Sequence, residues 1–145
     1  MSSLHRSANA VWTGTLREGS GSLSSDSGKL NDLAYTFISR FEKGEATNPE
    51  ELIAAAHAGC FSMALGSRLG KQGFTVHHID TKATIELTQP EGTGWQITKI
   101  ILTTTGKVEG IDAAAFAAAA EETKKTCIVS KALAAIPMEI TATLG

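Results

Sequence analysis

Along the first part of the chain, apolar and polar positions alternate in short runs broken by glycine and serine. ANAVWTGTL reads as a strand, REGSG as a turn, and SLSSDSGKL as a second strand ending in a Ser-Gly turn. LAYTFISRF, rich in aromatic and branched residues, reads as a third strand. Three short strands in succession predict an antiparallel meander. Alternation then gives way to helical spacing in NPEELIAAAHAGCFSMALGSRLGKQG. Asn48 suits the N-cap, Pro49 the first helical position, and Glu50 and Glu51 the positive end of the helix dipole. The spacing predicts a helix from Pro49 to about Leu69, with Gly70 and Gly73 as its exit.

Downstream, DTKATIELTQ, the EGTG turn and WQITKIILTTTG form a predicted hairpin. Asp112 can cap a second helix from Ala113 to about Lys125, on which Glu121 and Lys125 have the favourable i,i+4 order. IVSKALAAI reads as a short third helix stopped by Pro137, and MEITATL as a last strand. The order βββ–α–ββ–αα–β is that of an α+β fold with a largely antiparallel sheet. At 145 residues, one domain over 1–145 is expected.

Composition and charge narrow the function classes. A formal net charge of −2 gives no electrostatic reason to bind nucleic acid or an anionic membrane, and few aromatics are on hand for base stacking. The start, MSSLHRSANAVW, lacks the apolar core of a signal peptide. The run LIAAAHAGCFSMALG is too short and small-sided to span a bilayer. A soluble cytoplasmic protein is expected. Its two cysteines are not a secreted disulfide scaffold.

The central helix carries few large side chains: Ala54, Ala55, Ala56, Ala58, Gly59, Ser62, Ala64 and Gly66 cover much of it. Small residues admit a close helix neighbour, either the alanine-rich helix 112–125 or the same helix in a second subunit. Glu50, Ile53, His57, Cys60 and Ala64 follow one broad face, so Cys60 is expected to lie deep. Buried free cysteine usually packs as a small hydrophobe. Cys127, just before a short helix, stands where a thiol pKa is lowered. On burial and spacing alone, packing and chemistry both remain open. His57-x-x-Cys60, Cys127 and the His77–His78 pair are nominal metal ligands, but there is no CxxC or HxxxH, and adjacent strand histidines face opposite ways. No metal site is expected, and His57 is read as a core or interface histidine with a satisfied ring.

TNPEELIAAAHAGCFSMAL, the SSDSG turn, YTFISRFE, ITKIIL, GIDAAAF and the C-x-V-S-K-A-L stretch together resemble the OsmC/Ohr family, the osmotically inducible protein C and organic hydroperoxide resistance proteins. The resemblance runs along essentially the whole chain and is closer to the OsmC branch. It implies thiol-dependent reduction of organic hydroperoxides, with H2O2 a poorer substrate, in oxidative or osmotic stress defence. It implies an intertwined homodimer with shared active sites, in which antiparallel sheets wrap long central helices. It implies no cofactor, and a dithiol reductant such as a lipoyl protein or a thioredoxin-like partner. By the same resemblance Cys60 is the attacking cysteine and Cys127 the resolving one. Glu50 matches the family's glutamate after Asn-Pro, and Arg40 the arginine of the OsmC branch. Arg17 sits where the Ohr branch carries its arginine. The family usually has proline after the second cysteine; here Ile128 stands, which is expected to loosen the turn at Cys127 or to shift its thiol slightly.

The chemistry sets requirements. Only a thiolate attacks, and burial raises a thiol pKa, so a cation such as Arg40 must offset it. A buried arginine needs a carboxylate, and Glu50 is the candidate. Glu50 and Cys60 are ten positions apart on one helix, roughly 15 Å of rise, so a shared site needs a second, antiparallel copy of that helix. Phe61, Met63, Ile128 and Leu133 are the expected apolar lining for a greasy peroxide. The rival reading is a non-catalytic dimeric stress or ligand-binding protein whose thiols only pack.

Overall fold

A computed structural model describes all residues, Met1–Gly145. The chain resolves into two compact units, Met1–Leu52 and Ile53–Gly145. In the first unit, β1 (Ala8–Thr13), β2 (Ser20–Ser25) and β3 (Leu33–Tyr35) form the predicted antiparallel meander in the order β1-β2-β3. The third strand is shorter than LAYTFISRF suggested. After Tyr35 the chain turns into α1 (Phe37–Phe41), which corrects the strand reading of FISRF. The cause is a capping box: Thr36 Oγ1 accepts from Ser39 N–H, and Ser39 Oγ accepts from Thr36 N–H. Two reciprocal bonds at a helix start outweigh a strand propensity that is itself weak and context-dependent.

Helix α2 (Pro49–Lys71) begins at the end of the first unit and runs on through the second. Asn48 Oδ1 accepts from Glu51 N–H at 2.8 Å, as its place before Pro49 predicts. The helix ends in a Schellman motif, with Phe74 N–H bonding Leu69 C=O and Gly73 N–H bonding Gly70 C=O. Gly73 takes φ +93°, which a side chain would resist. At 23 residues, and with a window of mean hydropathy 1.2, α2 is long and apolar enough to cross a membrane, unlike the shorter run read from sequence. Here its apolar stripe serves a core: Phe61, Leu65 and Leu69 are fully buried with Ile100, Leu102 and Phe116.

The second unit holds a sheet of order β4-β5-β6. β4 (Thr75–Thr88) and β5 (Gln96–Glu109) form the predicted hairpin, with irregular register at Val76/His78 and Glu86/Leu87. β6 (Met138–Leu144) lies parallel to β5, Ile100 opposite Met138, because helices α3 (Ala113–Thr126) and α4 (Ile128–Ala132) make a crossover between them. Asp112 caps α3 through Ala115 N–H, as expected. Glu121 pairs with Lys124 rather than Lys125, which reaches Glu122 instead. On β5, Ile100, Leu102 and Thr104 are buried at every second position, the period of a half-buried strand. Thr104 is satisfied by Thr81 Oγ1 and Asp80 C=O, and Thr81 in turn by Ser62 of α2. Gly106 lies under the Phe116 ring, where a Cβ would collide with Cε2 and Cζ. That contact lets α3 sit close on the sheet.

Candidate functional site

Cys60 and Cys127 are both free thiols on one open cleft of about 440 Å³, which Met63, Ala64, Thr126 and Ile128 also line. Cys60 comes from α2 and Cys127 from the junction of α3 and α4. Cys60 is half-buried, not deep as the one-face reading expected. The buried stripe of α2 runs through His57, Phe61, Leu65 and Leu69, four residues apart, and Cys60 stands at its edge. The apolar lining also differs from expectation. Met63 and Ile128 face the cleft and are 80 % and 76 % exposed, whereas Phe61 is consumed by the core and Leu133 packs against it.

Cys127 is 3 % exposed and caps two helices at once. Its N–H bonds Thr123 C=O to close α3, and its Sγ accepts from Ser130 N–H at 3.4 Å to open α4. Its backbone, φ −63° and ψ 148°, is the extended conformation of an N-cap. Ile128 therefore takes the first helical position where the family pattern has proline, and α4 forms without it.

Behind Cys127 stand Ser130 and His57, whose link the sequence did not reveal. Cys127 Sγ donates to Ser130 Oγ at 3.0 Å, and Ser130 Oγ lies 2.7 Å from His57 Nε2. His57 is fully buried and its Nδ1 has no hydrogen-bond partner. Burial pushes the imidazole pKa below its ordinary 6.5 and keeps the ring neutral. The only trace in the sequence is a serine three residues after a cysteine at a helix start. His57 is thus a core histidine as read, but its ring is not satisfied as expected: Nε2 is engaged by Ser130 while Nδ1 is left unpaired; His77 bonds Glu109 instead.

In the first unit, Arg40 and Glu50 meet. Arg40 Nη2 lies 2.8 Å from Glu50 Oε1, and Nε bonds both carboxylate oxygens at 3.2 and 3.3 Å. The arrangement is a fork on a carboxylate, the strong form of this contact. The buried member is the carboxylate, at 11 % side-chain exposure, rather than the arginine at 42 %. Arg17 does not join them; its guanidinium lies 4.7 Å above the Phe37 ring. Arg40 also borders an apolar cleft of about 230 Å³ lined by Trp12, Leu16, Tyr35, Phe37 and Phe41. A half-exposed cation on an apolar wall can meet a developing anion on a greasy substrate.

Comparison with known proteins gives a consistent picture. The model of a family described as OsmC-like protein matches residues 42–141. The chain is 46% identical over 132 residues to a protein named peroxiredoxin OsmC from Escherichia coli, across 91% of this chain and 92% of that one. Its fold matches an organic hydroperoxide resistance protein from Elizabethkingia anophelis with a TM-score of 0.77 at 21% identity, over 100% of both chains. It also matches the organic hydroperoxide resistance protein OhrB of Bacillus subtilis with a TM-score of 0.70 at 22% identity, over 96% of this chain and 98% of that one.

Proposed function

The chain belongs to the OsmC-like protein family, and from that premise we propose that it is a thiol-dependent peroxidase acting on organic hydroperoxides through Cys60 and Cys127. The observation that carries this reading is the pair of free thiols on one open cleft whose rim, Met63 and Ile128, is apolar. The Cys60 thiolate attacks the terminal oxygen of the hydroperoxide. The S–O bond forms as the O–O bond breaks, and the alkoxide takes a proton and leaves as alcohol. Cys127 then attacks the sulfenic acid on Cys60. A disulfide forms, water leaves, and further oxidation of Cys60 is prevented. An external dithiol returns both thiols to the reduced state, which fits a reducing cytoplasm.

The Arg40–Glu50 pair supports the first step in this reading. Glu50 and Cys60 are ten residues apart along α2, so the pair serving one Cys60 belongs to a second copy of the chain. The working unit is accordingly a homodimer with shared sites. Its support is apolar surface that a lone chain leaves open: every residue of β1 is exposed, and Val11, Leu16, Ile38 and Met63 are 60 %, 64 %, 49 % and 80 % exposed. The apolar wall near Arg40 favours a bulky peroxide over H2O2.

Intact-mass spectrometry after one equivalent of cumene hydroperoxide tests the reading. Wild type should lose two hydrogens, and Cys127→Ser should carry sulfenic acid or its over-oxidised products on Cys60. Cys60→Ser should stay unoxidised. Thiols left untouched in wild type at that stoichiometry would reject the peroxidase and favour a binding protein with packing thiols. A clear kinetic preference for H2O2 over cumene hydroperoxide would reject the organic substrate class.

A further inference from the structure

Three polar side chains from different parts of the second unit form one buried file. His57 is on α2, Ser130 on α4, and Cys127 at the α3–α4 junction; they are 0 %, 2 % and 3 % exposed. The sulfur donates to Ser130 Oγ at 3.0 Å and that oxygen lies 2.7 Å from His57 Nε2. A packing role would not need this. A buried imidazole with Nδ1 left unpaired is costly, and an apolar side chain would fill the space without that cost. The file ends on the sulfur that the proposed second step requires as a thiolate.

We propose that Ser130 and His57 are a relay that positions Cys127 and takes its proton as the disulfide closes. The inference rests on the peroxidase reading and assigns residues to its second step. In the resting thiol, S–H donates to Oγ and O–H donates to Nε2, which places the imidazole proton on Nδ1. As Cys127 attacks, its proton passes to Oγ while the serine proton passes to Nε2. The S–S bond forms, the S–O bond of the sulfenic acid breaks, and the leaving hydroxide recovers one proton as water. Cys127 sulfur is oxidised, Cys60 sulfur is reduced, and His57 returns to neutral. The nascent thiolate meets two donors already in place, the O–H and the N–H of Ser130. Burial holds His57 neutral before the step, so Nε2 is free to accept the serine proton, and it disfavours the imidazolium, so that proton is given up again once the disulfide has closed.

Ser130 touches the reacting sulfur and carries its proton, and His57 acts through Ser130. The test separates the two chemical steps by quenching with an alkylating agent at timed intervals after one equivalent of cumene hydroperoxide, with intact-mass readout. In Ser130→Ala and His57→Gln, Cys60 should oxidise at the wild-type rate while disulfide closure slows about a hundredfold, the scale of a lost general base. Glutamine keeps an acceptor near the Nε2 position but takes no proton. Ser130→Thr, which retains the hydroxyl, should close faster than Ser130→Ala. The first step in the same sample reports whether a variant is folded. Closure at the wild-type rate in Ser130→Ala overturns the relay alone. Slowing of both steps together in both variants also overturns it, in favour of a purely structural file. Failure of wild-type Cys60 to oxidise at all overturns the peroxidase reading, and the relay with it.

Discussion

Replacing Arg40 with methionine removes the guanidinium but leaves Glu50, 8 % exposed, without its forked partner. Removing the partner of a buried charge exposes its desolvation cost, reduced here because Arg40 is itself partly in water. The urea midpoint of Arg40→Met should fall by the equivalent of about 1 kcal/mol. The double variant Arg40→Met/Glu50→Gln should recover part of that loss; no recovery would show that the pair is not coupled. At His57 the sign is opposite to that of a histidine paired with a carboxylate. The unfolded chain takes up a proton near pH 6.5, while burial lowers the folded pKa, so the unfolded state binds more protons below that pH. Stability should therefore hold above pH 6.5 and fall as the pH drops below it. Denaturant titrations at pH 7.5 and 5.5 check this, and His57→Gln should flatten the difference. That Cys60 and Cys127 should be considered together was legible in the sequence because a family motif surrounds each. The Ser130–His57 bond was not, although Ser130 lies inside one of those motifs, because the two residues are 73 positions apart and only the packed chain brings them together.

Among the elements, α2 and α3 announced themselves and α1 did not. Asn-Pro-Glu and Gly-Ile-Asp carry cap residues next to helical spacing, and both caps form. FISRF offers five residues, two of them aromatic, which is too short for a period to show. Its capping box uses serine at the third helical position, where the usual signature has Glu or Gln. Thr36→Ala should cost about 1 kcal/mol in the urea midpoint. A loss of stability with Ser39 left unaltered would mark the cap rather than packing as the cause. The parallel pairing of β6 was equally hidden, since strand direction depends on the α3–α4 crossover and not on MEITATL itself. Gly106 shows what that arrangement demands. Because Phe116 occupies the place of a Cβ, Gly106→Ala should overpack the core and destabilise by roughly 1–3 kcal/mol, measurable as a lower Tm.

At the scale of the whole molecule, the prediction concerns what covers α2. Sedimentation equilibrium should give about twice the chain mass of 15.2 kDa at micromolar concentration; the single-chain mass would sink the shared-site proposal. Gly59 sharpens this. In a lone chain a Cβ there meets nothing, so Gly59→Ala should stabilise by about 0.5–1 kcal/mol through helix propensity. Against a second helix the same methyl would be neutral or harmful, and the urea midpoint tells the two apart. The double cap at Cys127 has a consequence for the reaction as a whole. In the proposed reaction, a Cys127 sulfur bonded to Cys60 has lost the proton it donates to Ser130 Oγ, and the shift of the sulfur toward Cys60 would weaken its hold on Ser130 N–H. Each turnover of the proposed cycle would then slacken the knuckle between α3 and α4 and re-form it. Amide exchange at Ser130 would register this as faster deuterium uptake in the spent protein, so that the backbone itself keeps a record of whether the thiols have been used.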